Sequence, residues 1–243
     1  MVTIACKDVQ FANIQAIIFD KDGTLEDSEA YIRSLGQKRS RLIDAQVPGV
    51  GEPLLMAFGI NGDTLDPTGL LAVASRWESE IAAAAYIAET GKGWLESREV
   101  ARHAFAEADK AVGNTASPLF VGSLEVIKYL SEAGLKLGIL SAASTERVRT
   151  FVQTHKLSDY FQLQMGVSAG GLSKPDPALF IQACQTLGVQ PSHTLMVGDS
   201  SGDIEMARQA GAAGCIGICW NREAAHLRSA DVVISHLEEI KLL

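Results

Sequence analysis

The sequence lacks an excess of basic residues and lacks any long apolar run. It has 21 Lys and Arg against 29 Asp and Glu, so the net charge of the 243 residues is −8. A negatively charged protein is not attracted to nucleic acid or to an anionic membrane surface, so we expect neither as a partner. No apolar run approaches the length of a membrane span, and residues 1–15 lack the basic and apolar regions of a signal peptide. We therefore expect a cytoplasmic protein.

Cysteine is also scarce, and its spacing is uninformative for metal binding. The four cysteines form no CxxC pair and no metal-ligand pattern; they are Cys6, Cys184, Cys215 and Cys219. Three of them lie in apolar runs, which indicates buried free thiols and suits a reducing compartment. Nothing in the sequence distinguishes a monomer from a homodimer.

What the sequence does have is a series of short apolar runs that alternate with helical patterns. The composition, 47% hydrophobic and 21% charged, is typical of a globular protein with a substantial core. The runs predicted to be buried strands are "AIIFD" (16–20), "KLGILSA" (136–142), "TLMVGD" (194–199), "AGCIGICW" (213–220) and "DVVIS" (231–235). Alternation of strands and helices predicts an α/β fold, a Rossmann-like doubly wound parallel sheet with helices on both faces.

One long segment departs from this alternation. Residues 27–116 are rich in alanine and show helical patterns near 27–46, 69–90 and 96–112, joined by a Gly- and Pro-rich connection at 47–68. We predict an all-helical cap domain at 27–116, inserted into a catalytic core domain made of 1–26 and 117–243.

The predicted cap has few cations that could recognise a substrate. Residues 42–75 contain no Lys or Arg. The first cap helix carries Arg33, Lys38, Arg39 and Arg41, which either supply a cation to the substrate or form a solvated face. The sequence leaves both interpretations open.

Polar side chains follow several predicted strands. Asp20 and Asp22 come at the end of the first strand, Ser141 ends the second, and Asp199 and Asp203 follow the third. In parallel sheets the carboxyl ends of the strands meet at one edge, where ligands bind. We expect these side chains to form one site, together with Lys174 from "LSKPDPALF".

Carboxylate oxygens are the ligands that Mg²⁺ prefers, and a cation would relieve the repulsion between clustered acids. We predict a Mg²⁺ site formed by Asp20, Asp22, Asp199 and Asp203. Asp199 would bind the metal directly, whereas Asp203 would act on its water shell or on Lys174.

The same residues suit phosphoryl transfer. Asp20 can attack phosphorus to give an aspartyl-phosphate, and Asp22 can protonate the leaving oxygen and then take a proton from water. Phosphoryl oxygens would be held by side chains and backbone N–H groups of Gly23, Thr24, Ser141, Ala142 and Lys174. Lys21, between the two acids, is expected to point to the other side of the chain and to take no catalytic role.

Four ordered motifs, "FDKDGTL", the strand-end serine, "SKPDP" and "GDSSGDIEMARQAG", resemble those of the haloacid dehalogenase-like hydrolase superfamily. The helical insert after the first motif is similar to the cap of the phosphoglycolate phosphatase and β-phosphoglucomutase branch. The resemblance implies a Mg²⁺-dependent enzyme with Asp20 as nucleophile, Asp22 as acid and base, Ser141 and Lys174 on phosphate, and Asp199 on the metal. Asp22 favours phosphoryl transfer over dehalogenation. Ala142 stands where many phosphatases of the branch carry Asn, so the leaving-group preference stays open.

The sequence thus predicts a phosphatase for a small phosphomonoester: phosphoglycolate, a sugar phosphate or a nucleotide monophosphate. A phosphomutase of the β-phosphoglucomutase type is the first alternative, but it needs a second phosphate site, and the cation-free stretch 42–75 counts against one. A phosphonate hydrolase using Lys38 as a Schiff base has no other support. A catalytically silent module that binds a phosphorylated ligand is the alternative from a different class of protein.

Overall fold

The computed structural model describes residues 2–113, 116–220 and 224–243. Its strands are β1 (Val2–Cys6), β2 (Val9–Ile14), β3 (Ala16–Phe19), β4 (Ile60–Asn61), β5 (Thr64–Leu65), β6 (Lys136–Leu140), β7 (Phe161–Met165), β8 (Thr194–Gly198), β9 (Gly214–Ile218), β10 (Val232–Ile234) and β11 (Ile240–Leu242). Its α-helices are α1 (Glu29–Asp44), α2 (Gly51–Phe58), α3 (Leu70–Val73), α4 (Arg76–Glu89), α5 (Trp94–Val112), α6 (Ser123–Glu132), α7 (Thr145–Thr154), α8 (Pro177–Leu187) and α9 (Ser201–Gln209).

The chain forms two compact units, one made of 1–27 and 116–243 and the other of 28–115. The predicted domains also contain Met1, Asn114, Thr115 and Asn221 to Glu223, which lie outside the described residues. Nowhere in the described ranges is there a helix with both the length and the apolar character needed to cross a bilayer.

A six-stranded parallel sheet forms the centre of the first unit, in the order β10-β9-β8-β3-β6-β7. Side chains of β3 alternate between two cores: Ile17 and Phe19 face the one that includes α6 and α7, whereas Ala16 and Ile18 face the one that includes α8 and α9. Both faces of the sheet are therefore covered by helices, which confirms the predicted Rossmann-like doubly wound fold.

Four of the described strands of this unit were not predicted. β7 is an edge strand of the parallel sheet, and its sequence FQLQM alternates polar and apolar residues instead of forming an apolar run. β1, β2 and β11 form a separate antiparallel sheet in which Ile4 pairs with Leu242. The two chain ends thus lie on neighbouring strands.

The second unit is built mainly from helices around its own core. The alanine-rich helices α4 and α5 contribute small buried side chains such as Ala83, Ala84, Ala101 and Ala104. α4 begins with a capping box between Ser75 and Glu78, which satisfies backbone donors at its first turn.

The expectation that this unit is all-helical needs a small correction. The predicted connection at 47–68 contains α2 and the two-stranded antiparallel pair of β4 and β5. α2 forms because Leu54 and Phe58, four residues apart, are buried on one side of the helix, and Gly59 ends it with a positive φ of 80°. The Gly and Pro content of the stretch obscured this short apolar pattern.

Candidate active site

Asp20 lies at the carboxyl end of β3, at the centre of the parallel sheet. Its N–H donates to the carbonyl of Val197 on β8, at 2.8 Å, so the two strand ends are held in register. Asp199 follows β8, and Ser141 follows β6 on the other side of β3. The sheet topology therefore brings Asp20, Ser141 and Asp199 to one edge, as the strand-end argument predicts.

Three acids cluster at this edge. Asp20, Asp199 and Asp203 each offer a carboxylate oxygen, and these oxygens lie within 4.8 Å of one another. Two glycines make this approach possible. A Cβ atom on Gly23 would come within 2.1 Å of Oδ2 of Asp199, and one on Gly198 would come within 2.5 Å of Cγ of Asp203. The donor set and the close-packed backbone fit a small divalent cation that prefers oxygen ligands.

Lys174 is the cation of the cluster. Its Nζ lies 2.5 Å from Oδ1 of Asp20 and 2.6 Å from Oδ1 of Asp203. Lys174 lies three residues before the start of α8, which is fixed by Pro177 in its first turn and by Asp176, which accepts the N–H of Ala178 at 2.9 Å. The "SKPDP" motif thus sets where the lysine side chain begins.

A capping box fixes the carboxylate of Asp203. Ser200 caps α9, and its hydroxyl donates to Oδ2 of Asp203 at 2.6 Å while accepting the N–H of Asp203. The other oxygen of Asp203 faces Lys174. Asp203 is therefore tied to both α9 and the lysine.

Burial and repulsion between carboxylates raise the pKa of two acids of the cluster, Asp20 and Asp199. The pKa of Asp20 is raised to about 7: burial is the largest cause, Asp203 and Asp22 also raise the pKa, and Lys174 lowers it. Burial, and then the charges of Asp20 and Asp203, raise the pKa of Asp199 well above its usual value. Burial opposes the charge on Lys174, but Asp20 and Asp203 outweigh it and raise the pKa of the lysine.

The residues predicted to bind phosphate have the following contacts. The hydroxyl of Thr24 donates to Oδ1 of Asp199 at 3.2 Å, and the N–H of Gly23 donates to the carbonyl of Glu26 at 2.9 Å. Ser141 is buried, and its hydroxyl accepts the N–H of Ala143 at 3.1 Å. Ala142, between these two residues, is half-buried.

Asp22 is not one of the three clustered acids. Its Oδ1 lies 2.6 Å from Nζ of Lys21, so Lys21 does not point away from the acids as the sequence analysis expected. The strand ends at Phe19, and Lys21 lies in the bend that follows, where the alternation of side chains along a strand no longer applies.

Sequence reasoning missed several residues that support the site. Glu26 is the second partner of Lys21, and Nε2 of His226 lies 2.9 Å from the backbone carbonyl of Asp199. Gly198 is predicted only as part of a strand. Its place between an apolar run and an acid is nevertheless typical of a position where a side chain packs closely against the backbone. His226 has no local sequence signal, because it reaches the site from 27 residues away.

A parallel-sheet core with carboxylates and a lysine at its carboxyl edge defines a class of enzyme that acts on a ligand held at that edge. The sequence pattern of the family described as "Hydrolase: haloacid dehalogenase-like hydrolase" matches residues 14–211. The chain belongs to this haloacid dehalogenase-like hydrolase family, so the predicted family and the predicted hydrolase class are confirmed.

Individual relatives cover nearly the whole chain. The phosphoglycolate phosphatase of Yersinia pestis is 29% identical over 240 residues, 96% of this chain and 94% of the relative. The N-acetylmuramic acid 6-phosphate phosphatase of Pseudomonas putida is 27% identical over 231 residues, 94% of this chain and 95% of the relative. The crystal structure of β-phosphoglucomutase from Clostridium difficile has the same fold, with a TM-score of 0.60 and 20% identity over 94% of this chain and 93% of that one.

Proposed function

We propose that the chain is a Mg²⁺-dependent phosphatase that hydrolyses a small phosphomonoester through an aspartyl-phosphate intermediate. The observation that carries the proposal is the position of Asp20: a buried carboxylate at the end of the central strand, 2.5 Å from Lys174 and clustered with Asp199 and Asp203. The phosphatase names of the relatives from Yersinia pestis and Pseudomonas putida support the same reaction.

In the first half of the proposed reaction, an oxygen of Asp20 forms a bond to phosphorus while the bond from phosphorus to the ester oxygen breaks. Asp22 gives its proton to the departing oxygen, which leaves as an alcohol. Lys174 and Ser141 hold phosphoryl oxygens as negative charge shifts onto them.

In the second half, water attacks the phosphorus of the aspartyl-phosphate and its proton passes to Asp22. The bond between phosphorus and the Asp20 oxygen breaks, so inorganic phosphate leaves and both acids return to their starting states. Asp20 and Asp199 would hold Mg²⁺, with Asp203 and Lys174 in support. A bound Mg²⁺ ion would supply positive charge against the carboxylates and the phosphate.

The proposed substrates are phosphoglycolate, a sugar phosphate or a nucleotide monophosphate. The two relatives differ in the substrates that their names give, a two-carbon acid and an amino sugar acid, so the family name does not choose among them. A mutase would need a cation site for a second phosphate. Of the four cap cations that the sequence offers, Arg39 is buried against Asp109, and Arg33 donates to the carbonyl of Asp63. Because these two guanidinium groups already have protein partners, fewer cap cations remain for a second phosphate, and this favours a phosphatase. A cytoplasmic location is part of the proposal, supported by the buried thiols of Cys6, Cys184 and Cys215.

The test is Asp20→Asn with Mg²⁺ and a chromogenic phosphomonoester. The wild-type chain should release phosphate, and the variant should fall to background while remaining folded at the assay temperature, because the amide retains the shape but not the nucleophile. A panel of phosphate esters, scored for both phosphate release and isomerisation, then identifies the substrate. Wild-type chain that turns over none of the esters would contradict the proposal, and isomerisation faster than phosphate release would make the chain a mutase.

A further inference from the structure

Lys21 is the most deeply buried lysine near the site, and its ammonium lies between two carboxylates. Only 1% of the residue is exposed. Nζ lies 2.6 Å from Oδ1 of Asp22 and also donates to Oε2 of Glu26. The ring of Phe151 lies 5.7 Å from the same nitrogen and closes another side of the pocket. A buried ammonium is stable only when opposite charges surround it, so Lys21, Asp22 and Glu26 form one charge cluster.

Glu26 connects the charge cluster of Lys21, by a hydrogen bond, to a distant part of the chain. Its second oxygen, Oε1, accepts the N–H of Ser117 at 2.6 Å, and the carbonyl of Ser117 lies 2.9 Å from Nε2 of His155, the residue that follows α7. Glu26 is itself 3% exposed. The carboxylate that faces Lys21 therefore has a fixed position, and it can hold the ammonium in place.

The backbone around Lys21 is equally constrained. Its carbonyl accepts the N–H groups of both Leu25 and Glu26, at 3.0 and 2.9 Å, and the N–H of Gly23 donates back to Glu26. These bonds close the turn that follows β3. The side chain of Lys21 thus starts from a fixed backbone and ends at a fixed carboxylate.

Asp22, in contrast, is the solvent-exposed member of the charge cluster. Its side chain is 26% exposed, whereas that of Glu26 is 4% exposed. A partly exposed carboxyl group can change rotamer, and a hydrogen bond from a rigid ammonium to one of its oxygens selects one orientation. A proton donor must be held in one orientation to act on a reacting atom.

We propose that Lys21 is a positioning residue that holds the carboxylate of Asp22 for proton transfer to and from the substrate, with Glu26 as its anchor. This role rests on the proposed phosphatase function. The competing explanation is that Lys21 only neutralises Glu26 and stabilises the turn. The two explanations differ in what happens to proton transfer when both partners are replaced together.

The experiment compares kcat/KM for two substrates, since kcat/KM reports the steps up to departure of the leaving group. Glycerol phosphate needs a proton on its leaving oxygen, whereas p-nitrophenyl phosphate releases a phenolate that needs none. General acid catalysis contributes about 10² to 10⁴, so Lys21→Met should lower kcat/KM for glycerol phosphate by about 10- to 100-fold. For p-nitrophenyl phosphate the loss should stay within about threefold, because that leaving group does not use the proton.

The double variant Lys21→Met/Glu26→Gln separates positioning from neutralisation and also serves if the single variant fails to fold, since it leaves no unpaired Glu26 charge in the core. It should recover the unfolding temperature of the wild-type chain and keep the low ratio of alkyl to aryl kcat/KM. Lys136→Met, at the opposite end of the sheet, is the matched control and should leave the ratio unchanged.

Two results would overturn the role of Lys21: a double variant with the wild-type ratio, or an equal loss on both substrates. A wild-type chain inactive on both esters and on the wider ester panel would overturn the proposed function itself, and with it the role of Lys21. Activity on the panel with an unchanged ratio in Lys21→Met rejects the positioning role alone.

Discussion

Nζ of Lys174 lies 2.5 Å from Oδ1 of Asp20, and both side chains are buried at the carboxyl edge of the sheet. The same nitrogen lies 2.6 Å from Asp203. One buried ammonium group therefore contacts two buried carboxylates. Such an arrangement is stable only while all its members are present, because each charge that remains after a deletion has lost both water and its partner.

Replacing Lys174 by Met should therefore destabilise the chain as well as inactivate it. Removing one partner of a buried ion pair costs about 3–5 kcal/mol, so the unfolding free energy in Mg²⁺-free urea should fall by that amount. Lys136→Met should change it by less than about 1 kcal/mol, because Lys136 is exposed and donates to a backbone carbonyl, that of Leu187. Equal stability of the two variants would show that the Lys174 contacts do not hold the charges together.

Gly23→Ala should disturb the acid cluster through steric contact. Gly23 has a φ of +76°, and a Cβ there would overlap Oδ2 of Asp199 at 2.1 Å. Gly211 has the same φ, but a Cβ there would meet no atom within 4 Å. Both alanine variants should lose about 1–2 kcal/mol of stability, from the left-handed backbone alone.

The two glycine variants should differ in metal binding. Only Gly23→Ala should need more Mg²⁺ for half-maximal activity, since only there is Asp199 displaced. Titration of activity with Mg²⁺ measures this, and equal Mg²⁺ requirements in the two variants would argue against Asp199 as a metal ligand.

The effect of Mg²⁺ on stability should increase with pH. The folded pKa of Asp20, about 7, lies above the usual value of 3.8, so the metal-free folded chain binds more protons than the unfolded chain between these pH values. Its stability from this group is therefore present at low pH and is lost as the pH rises towards 7. Mg²⁺ requires the ionised carboxylates, so its binding competes with these protons.

The measurement is thermal unfolding between pH 5 and pH 8, in EDTA and in Mg²⁺. The difference between the two curves should be small at pH 5 and largest at pH 8. In Asp199→Asn the difference should shrink at every pH, because one ligand is missing. A difference that is constant with pH would contradict proton competition at the cluster.

Arg39→Leu should destabilise the helical unit without a direct effect on the chemistry. Arg39 is buried, its Nη2 donates to Asp109 at 2.8 Å, and its guanidinium lies 4.3 Å from the centre of the Phe105 ring. A hydrogen bond to a charged group contributes about 1.5–3 kcal/mol, and the unfolding free energy should fall by about 2 kcal/mol. Arg41→Leu, on the exposed side of the same helix, is the control and should change stability by less than about 0.5 kcal/mol. Equal effects would show that the Asp109 contact contributes nothing.

The parallel sheet was predictable because its strands carry the signal in their own residues. β3, β6, β8 and β9 are apolar on both faces, as strands covered on both sides must be. β7 was missed because two of its five residues, Gln162 and Gln164, are polar and interrupt the apolar run. The pairing of β1 with β11 depends on residues more than 230 positions apart, and no local pattern reports such a contact.

The candidate site shows the same division. Asp20 and Asp199 could be placed together from the sequence, because each follows a strand of the same parallel sheet, and Lys174 could be added from the "SKPDP" motif before a helix. The orientation of Lys21 could not, since it depends on a turn closed by Glu26 and on the distant Ser117. Once a strand has ended, side-chain direction is set by tertiary contacts, and a sequence pattern no longer determines it.

The backbone at the ends of the helical insert has a further consequence. The N–H of Asp27, where the chain leaves the first unit, donates to the carbonyl of Pro118, just after the chain returns, at 2.9 Å. Because Asp27 and Pro118 are hydrogen-bonded neighbours, segments of very different length can connect them. Each increase in the length of the insert adds little to the entropic cost of closing the loop. The helical insert can thus be exchanged or change in length during evolution while the parallel sheet keeps its strand register.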